Sequence, residues 1–421
     1  MSPLQSRMAF VSLVTALIAC TAEPSTTAPQ NRVVAEREVA ADARAHELPT
    51  KGRFIFRHWT FGDEPFWTDT LHLNQVIENG VSPATALAVG LKVDAERLPP
   101  GFLASADLTT PATTVELLRR DAVVGVEARV TGDNHIRRLG LTCALCHSTV
   151  DNSVTKGVGR RLDGLPNVDL NVGAIVALSP ALPAAVKAVF NSWGPGKYDA
   201  EFNRDGKNSP VVIPPALGLR GVARETYTAE GPVSYWNAYV AVTQMHGHGS
   251  FADPALGISI QQTPDLVTPV LPALRAYQLS LDAPPPAPGS FDPAAAERGK
   301  AVFNTTARCA TCHIPEMAFT DVNLGILHDP AEVGTDPVRA TRLKNHQYRT
   351  TPLRALPLHA PYFHDGGAAT LADVVAHYDR VFTLGLSARQ QADLVEYLKT
   401  LPGDHEEDQS RRDGRDRDDQ E

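Results

Sequence analysis

The 421-residue sequence lacks a long apolar segment and a basic stripe. No run approaches the roughly 18 uninterrupted apolar residues that a membrane-spanning helix needs. The formal net charge is −9, and no cluster of cations follows one face to neutralise phosphates, which argues against nucleic acid as a partner. The length exceeds that of one ordinary domain and predicts two folded units with flexible ends.

The negative charge is concentrated at the C-terminus. Residues 403–421 hold nine acidic residues against four arginines, so this segment supplies five of the nine net negative charges. We interpret it as a disordered charged tail. An interaction role for the tail is the alternative.

The N-terminus is typical of an exported protein. Arg7 precedes an apolar run, Met8 to Ala19, which is too short to span a bilayer and has the length of a secretory signal core. The run ends in Leu17-Ile18-Ala19-Cys20, which resembles a bacterial lipobox. This predicts a signal peptide over 1–19, lipidation at Cys20, a polar tether over 20–50, and a periplasmic protein held at the membrane by a lipid anchor only. A plain cleaved signal that contains a cysteine is the alternative.

The other four cysteines occur in two identical pentapeptides, Cys143-Ala144-Leu145-Cys146-His147 and Cys309-Ala310-Thr311-Cys312-His313. Cys-x-x-Cys-His is the attachment signature of c-type haem. Two thiols at this spacing reach both vinyl groups of one porphyrin, and the next residue offers its imidazole to the iron. The sequence therefore predicts two covalently bound c-type haems, with His147 and His313 as proximal ligands.

Two other uses of the cysteine pairs are the alternatives to haem. Four thiolates can hold one zinc ion, and each pair can act as a redox dithiol. Neither use requires a histidine directly after both pairs, so haem is favoured.

The pattern of helix signals predicts a mainly α fold with two cytochrome c-like haem domains, long loops and an N-terminal extension. The extension and first haem domain cover 51–282, and a proline-rich linker follows at 283–291. The second domain covers 292–402. It begins with Asp292 as N-cap and Pro293 at the first helical position, and its last helix begins with the capping pair Ser387 and Gln390.

Methionine is scarce, and this limits the choice of a distal ligand for the second haem. Of four methionines, Met1 and Met8 lie in the predicted signal. Met317 follows His313 by only four residues, too close to reach the opposite haem face easily, and no later methionine exists. The distal ligand of the second haem is therefore another residue, or none.

Two segments of the second domain carry a family resemblance: Tyr348-Arg349-Thr350-Thr351-Pro352-Leu353-Arg354 and Ala360-Pro361-Tyr362-Phe363-His364-Asp365-Gly366. With the helix that follows from Thr370, they resemble bacterial dihaem cytochrome c peroxidases and the related MauG enzymes. Twelve residues beyond Gly366, peroxidases have a methionine and MauG has an iron-bound tyrosine. This chain has Tyr378 there. The resemblance implies that Tyr378 ligates the second haem iron, although its spacing with Leu371 also fits a core position.

In the first domain the resemblance is weaker. Asn208-Ser209-Pro210 is similar to a family segment whose asparagine helps to bind calcium between the haems, with the carbonyls of His359 and Pro361 as partners. The resemblance thus implies one calcium ion. An ordinary Asn-Ser-Pro turn is the alternative.

Trp236 stands where the family has a tryptophan that relays electrons or holes between the haems, and it also fits a core aromatic residue. Ten residues later, where peroxidases have a distal glutamine, this chain has His246. The distal glutamate of the peroxidases has no obvious counterpart. His246 can do that proton work; alternatively His246, His248 or Met245 coordinates the iron, or the histidine pair forms a surface metal site.

The leading expectation is an exported dihaem oxidoreductase. It reduces hydrogen peroxide, or uses peroxide or dioxygen to oxidise a partner, and exchanges electrons with a periplasmic electron-transfer protein or a small redox donor. The alternatives are a non-catalytic dihaem electron carrier and an oxygenase acting on an organic substrate, as in the rubber oxygenases that are similar to this family.

Overall fold

The computed structural model describes residues 47–401. The predicted signal peptide, Cys20, most of the tether and the charged tail lie outside the described residues. A helix over 47–58 includes the last four residues of the predicted tether. Within residues 47–401, no helix combines the length and the apolar character needed to cross a bilayer.

The predicted mainly α character is confirmed, since 43% of the described residues are helical and 10% are in strands. A π-helical turn, Phe66–Thr70, and several 3₁₀ turns lie between α-helices. Besides 47–58, the α-helices before the predicted linker are Leu73–Gly80, Pro83–Ala88, Phe102–Ser105, Pro111–Arg119, Ala144–His147, Val172–Ala177, Ala184–Asn191, Phe202–Asp205, Val233–Thr243 and Leu271–Ser280. Those after it are Pro293–Asn304, Pro330–Val333, Pro337–Ala340, Leu371–Val381 and Ala388–Thr400.

The described strands are short and form two-stranded sheets. Val93–Asp94 pairs in parallel with Val158–Gly159. The antiparallel pairs are Val126–Val130 with Ile136–Leu141, Ser148–Val150 with Arg161–Asp163, Lys197–Tyr198 with Val211–Val212, and Phe251–Asp253 with Ile258–Ile260.

The part of the chain that contains the first motif is built on two apolar clusters. One cluster includes Phe56, Tyr239 and Leu274, and Cys143 packs against it. The other includes Ile136 and Leu145, and Cys146 packs against it. The first pentapeptide therefore lies where the two cores meet.

The second half of the described chain, residues 292–401, follows the helix signals of the sequence more closely than the first half, residues 47–282. The carboxylate of Asp292 accepts hydrogen bonds from the backbone N–H groups of Ala294 and Ala295, and the helix Pro293–Asn304 begins there. This helix packs on Ala388–Thr400, whose capping box from Ser387 and Gln390 is confirmed. Gly299 permits the close approach, because a Cβ at this position would lie 1.9 Å from the carbonyl oxygen of Asp393.

The segment predicted as a linker contains buried as well as exposed residues. Ala283, the first residue of this segment, is fully buried in a small cluster with Leu217 and Ala355. The start of the segment therefore packs against one residue that precedes it in the sequence and one that follows it. Residues 47–401 lie within one compact unit. The boundaries at 282 and 292 stay predictions.

Candidate functional site

The first Cys-x-x-Cys-His motif follows a β-hairpin. The strand Ile136–Leu141 ends directly before Thr142, whose N–H donates to the carbonyl of Gly125 at the start of the hairpin. Cys143 then precedes the short helix Ala144–His147. Gly125 has φ of 78° and lies against the Leu145 backbone, so a side chain at this position would collide with the motif.

His147 is held by one specific hydrogen bond. Its Nδ1 lies 3.0 Å from the carbonyl oxygen of Pro214. Since a carbonyl only accepts, Nδ1 carries the proton and Nε2 is left with its lone pair, as an iron ligand requires. Burial lowers the pKa of His147, although the bond to Pro214 acts in the opposite direction. The imidazole is therefore neutral at pH 7.

The second motif has the same arrangement on a different local structure. Cys309–Thr311 forms a 3₁₀ turn that follows Arg308 in a left-handed conformation. The Nδ1 of His313 lies 3.0 Å from the carbonyl oxygen of Phe319, and burial lowers its pKa. Its Nε2 is likewise left to act as a ligand.

The cysteines do not form one zinc site. Among residues 47–401, the metal-ligating atoms of three side chains lie within 4.8 Å of one another: Cys312, Asp321 and His328. This group contains one cysteine and not four. Cys143, Cys146 and Cys309 pack instead against three different apolar clusters.

The thiols also do not match a reactive dithiol. The four motif cysteines form no disulfide within residues 47–401. Burial raises the pKa of Cys143 and Cys146 to about 12 and that of Cys309 and Cys312 to about 11. Redox-active dithiols have lowered thiol pKa values. The residues present therefore fit c-type haem, with paired thiols and an oriented neutral imidazole in each motif.

Tyr378 lies near the second motif. It is on the helix Leu371–Val381, where its ring contacts Phe363 and Phe382. Burial raises its pKa to about 12, and the thiols of Cys309 and Cys312 act in the same direction. Both the core position and the nearness to the second motif are thus observed; iron ligation stays a prediction.

Trp236 is on the helix Val233–Thr243, between aromatic neighbours. Its ring meets that of Tyr239 edge-on at 5.0 Å, and it packs against the same apolar cluster as Cys143. Its indole N–H donates to the hydroxyl of Thr228 at 2.9 Å, and the hydroxyls of Thr228 and Thr226 are 3.0 Å apart. The side chain therefore contacts the first core on one side and a polar segment on the other.

Arg349 continues the polar contacts from Thr226 into the second half. Its Nε donates to the Thr226 carbonyl at 2.6 Å, and one terminal nitrogen donates to the Glu225 carbonyl at 3.1 Å. Burial lowers the pKa of Arg349 to about 10. Two backbone carbonyls thus compensate this buried guanidinium.

The contacts from Arg349 end at His313 of the second motif. The carbonyl of Thr350, adjacent to Arg349, accepts a 2.7 Å hydrogen bond from the hydroxyl of Thr320. Thr320 follows Phe319, whose carbonyl holds His313. Covalent and hydrogen bonds therefore connect Trp236 to His313 without a gap.

His246 is exposed and has a left-handed backbone with φ of 60°. Its ring stacks on Phe66 with centroids 3.6 Å apart. His248 differs, since its Nδ1 lies 2.7 Å from the Pro264 carbonyl oxygen. Met245 is buried in the first core. The three residues considered as ligands of the first iron therefore have three different environments.

Asp63 is a functional candidate that the sequence analysis missed. Its carboxylate is fully buried and accepts hydrogen bonds from the indole N–H of Trp67 and the backbone N–H of Leu141. Burial raises its pKa to about 9, and the carboxyl group contributes to the raised pKa of Cys143. The signal in the sequence was an acidic pair, Asp63-Glu64, set among aromatic residues.

The residues of the implied calcium site make other contacts. The side-chain oxygen of Asn208 accepts from the indole N–H of Trp193 at 2.8 Å. The peptide bond between Ala360 and Pro361 is cis, and His359 directly precedes it. The Nε2 atom of His359 is buried and has no hydrogen-bond partner within the described part of the chain. Calcium binding at Asn208, His359 and Pro361 stays a prediction.

An acidic cluster next to Asn208 is neutralised by arginines from the second half. Arg339 is fully buried and pairs with Glu201 at 2.7 Å. Arg342 pairs with Asp199 at 3.0 Å and with Asp205 at 2.8 Å. These buried ion pairs join residues 199–205 to the segment that follows the second motif.

Another buried ionisable group, His328, lies directly beside the second motif. His328 is buried between two carboxylates, with Nε2 2.9 Å from Asp321 and Nδ1 3.0 Å from Glu332. Burial opposes protonation of His328, but the two carboxylates outweigh it and raise its pKa. The carboxylate of Asp321 also acts on Cys312.

Comparison with curated proteins supports the resemblance found in the sequence. The chain is 31% identical over 121 residues to MauG of Methylorubrum extorquens and 30% identical over 124 residues to MauG of Methylophilus methylotrophus. It is 29% identical over 152 residues to the cytochrome-c peroxidase IdrP1 of Denitromonas iodatirespirans. These matches cover 25%, 26% and 26% of this chain and 34%, 37% and 40% of the relatives.

The resemblance to MauG and cytochrome c peroxidases is therefore confirmed over about a quarter of the chain. The chain spans little more than a third of the length of these relatives. No family model matches it. The relatives support an oxidoreductase of the c-type haem, peroxidase-like kind.

Two solved structures show only partial likeness. Hydrazine synthase of Kuenenia stuttgartiensis, pressurised with xenon, has a TM-score of 0.32 at 20% identity and covers 46% of this chain and 73% of that chain. A MauG-like protein associated with microbial copper homeostasis has a TM-score of 0.24 at 21% identity, with 31% and 56% covered. Neither likeness defines the fold of this chain.

Proposed function

We propose that this protein is an exported dihaem c-type cytochrome oxidoreductase. It reduces hydrogen peroxide, or uses peroxide or dioxygen to oxidise a partner, and electrons pass between its two centres. One observation carries the proposal: each Cys-x-x-Cys-His motif presents a neutral histidine whose Nδ1–H is bound to a backbone carbonyl, at Pro214 and at Phe319. That arrangement leaves Nε2 for a metal in both motifs.

When bound, c-type haem supplies an iron that changes its oxidation state and accepts an axial ligand. The protein's own contribution begins with orientation. The carbonyls of Pro214 and Phe319 fix the ring planes of His147 and His313 and increase their basicity as ligands. The thiols of the four motif cysteines provide the covalent attachment.

Electron transfer between the centres would use Trp236 and the bonded contacts that follow it. Trp236 packs on the core that also holds Cys143, and Thr228 receives its indole N–H. The path continues through Arg349 and ends at the carbonyl that orients His313. A bonded path couples two redox groups more strongly than a gap filled with water.

Proton transfer at the first centre would use Asp63 with His246. With its pKa near 9, the Asp63 carboxyl holds a proton at neutral pH, close to Cys143. His246 stacks on Phe66, which is adjacent to the Trp67 that binds Asp63. An acid of this kind is what peroxide cleavage requires.

The proposed partners are a periplasmic electron-transfer protein or a small redox donor, with peroxide or dioxygen as the oxidant. Attachment to the membrane would be through lipid on Cys20. A calcium ion held by Asn208 and the carbonyls of His359 and Pro361 stays a prediction; to bind it, the side-chain oxygen of Asn208 would have to exchange its hydrogen bond from Trp193 for the ion.

The number of haems is tested first. We expect two haems per chain in a pyridine haemochrome assay and a matching added mass in intact-protein mass spectrometry. The Cys309→Ala/Cys312→Ala variant should keep one haem, and so should Cys143→Ala/Cys146→Ala. A count below two in the unaltered protein would contradict the proposal.

Catalysis is tested by spectroscopy of the purified holoprotein. We expect a high-spin ferric signal that changes when peroxide or cyanide is added, and peroxide-dependent oxidation of a reduced donor. Trp236→Phe should slow electron exchange between the centres at least tenfold, whereas Trp193→Phe, which lies off the bonded path, should not. Two low-spin signals that ignore both ligands would identify an electron carrier instead.

A further inference from the structure

A cavity of about 620 Å³ lies in the N-terminal part of the chain, apart from both motifs. Its walls come from the π-helical turn Phe66–Thr70, the start of the helix Leu73–Gly80, and the hairpin Val126–Val130 with Ile136–Leu141. The residues that line it are Thr68, Asp69, His72, Asn74, Gln75, Arg129, His135, Arg137 and Arg138. The lining is polar, with three arginines and one acidic residue, Asp69, and it contains none of the motif residues.

A β-bulge brings the three arginines to one cavity. Arg129 pairs directly across the hairpin with Arg138, but the next pair along is Val130 with Ile136. Arg137 is therefore an extra residue on its strand. In a regular strand, Arg137 and Arg138 would point to opposite faces. The bulge redirects one side chain, and both residues line the cavity.

The protein balances only part of the positive charge of this cluster, and His135 lies 3.1 Å from Glu78. Arg138 pairs with Asp69 at 3.0 Å, and both are exposed. Arg129 and Arg137 make no ion pair with any residue in the range 47–401, and both are exposed. Two like charges directly opposite on a hairpin destabilise it. The arrangement therefore presents uncompensated positive charge at the cavity.

A buried acceptor in the same wall points to a ligand independently of the arginines. Asn74 is only 6% exposed and lines the cavity. Its amide nitrogen donates to the Ile136 carbonyl at 3.1 Å, whereas its Oδ1 atom has no hydrogen-bond partner among the described residues. Buried polar atoms are normally satisfied, so this oxygen has an unfilled acceptor position in a residue that lines the cavity.

We propose that this cavity is a binding site for a small organic polyanion that carries a hydroxyl group, of the hydroxy-polycarboxylate class. Guanidinium groups match carboxylates in a bidentate geometry. The hydroxyl would donate to the Asn74 oxygen. This site is additional to the proposed redox function and does not depend on it.

A small molecule fits better than an acidic protein. The volume lies within the usual range for small-molecule sites. The whole chain has a net charge of −9, which repels an acidic protein as the two approach. The local positive charge acts over about 8–10 Å at physiological salt, a range that suits a ligand of the cavity's own size.

Isothermal titration calorimetry of the holoprotein at low salt tests the proposal, with citrate as the probe. Tricarballylate, which is citrate without its hydroxyl, is the matched ligand. The variant is Arg129→Gln/Arg137→Gln, and Arg380→Gln, an exposed arginine in the second half, is the control. Circular dichroism verifies that each variant is folded, and the Soret band verifies that its haem is bound.

We expect one citrate site per chain, with binding at least tenfold weaker in Arg129→Gln/Arg137→Gln and unchanged in Arg380→Gln. Tricarballylate and inorganic phosphate should each bind at least fivefold more weakly than citrate. No citrate binding, equal binding by the double variant, or equal affinity for citrate and tricarballylate would each overturn the proposal.

Discussion

The two Cys-x-x-Cys-His motifs orient their histidines in the same way but by different means. In the second motif, His313 is held by Phe319, only six residues further along the chain. In the first motif, His147 is held by Pro214, which is 67 residues away. The second arrangement is local, whereas the first exists only when a distant part of the chain is in place.

The charged surroundings of the motifs differ as well. The second motif has Asp321, His328 and Glu332 beside it, where acids and a base compensate one another. The first has Asp63, a buried carboxyl group with a raised pKa. Identical pentapeptides therefore lie in different electrostatic settings, and this difference fits the proposal of two haem centres with separate tasks.

The largest effect is expected where the two regions are joined. Arg339→Met removes the 2.7 Å partner of the buried Glu201 carboxylate, for which Arg342 at 3.6 Å and Arg204 at 3.7 Å remain, and should cost about 3 kcal/mol of the free energy of unfolding. Chemical denaturation measures this. The exposed Arg389→Met is the control and should leave the midpoint unchanged. A loss no greater than that of the control would show that the two halves are joined by other contacts.

The carboxyl group beside the first motif should give a pH-dependent stability. With the Asp63 pKa raised to about 9, the native state keeps a proton that the unfolded state releases above about pH 4. Stability therefore falls as pH rises between these values, by at most about 1.4 kcal/mol per pH unit. Asp63→Asn should remove this part of the slope in denaturation measured from pH 6 to 8. An unchanged slope would mean that Asp63 is ionised.

The histidine beside the second motif should give the same sign for a different reason. The raised pKa of His328 means that protonation stabilises the native state. This contribution is complete below about pH 6.5, the usual histidine value, and is lost as pH rises through the folded-state pKa. His328→Gln should cost about 1–2 kcal/mol at pH 5.5 and much less at pH 9. Equal losses at both pH values would contradict this.

The smallest effect on stability is expected for Tyr378→Phe, which tests the second centre directly. No hydrogen bond of the Tyr378 hydroxyl is seen within residues 47–401, so the loss should stay below about 0.5 kcal/mol. If the phenol oxygen is an iron ligand, the absorption spectrum of the second haem should change while the first stays as it was. An unchanged spectrum would leave Tyr378 as a core residue.

The second half was largely predictable from the sequence because its signals are local. The N-cap at Asp292 and the capping box of Ser387 with Gln390 act within one helical turn, and both were confirmed. The helix after Thr370 was also expected, and Thr370 caps it. Capping depends on neighbours three residues away, which a single sequence displays.

The first half was less predictable because its features depend on distant contacts. The burial of Asp63 depends on the N–H of Leu141, 78 residues away. The cavity with Arg137 depends on a bulge that shifts the pairing by one residue, and alternation of polar and apolar residues does not indicate such a shift. The contacts from Trp236 to His313 likewise cross between halves that the sequence shows only as separate segments.

The pairs that Arg339 and Arg342 make with Asp199, Glu201 and Asp205 also bear on kinetics. Any hinge motion between these segments would separate buried charges from their partners, so the spacing between the two proposed haem centres should be the same in every molecule. Electron exchange would then follow a single exponential whose rate does not change with solvent viscosity.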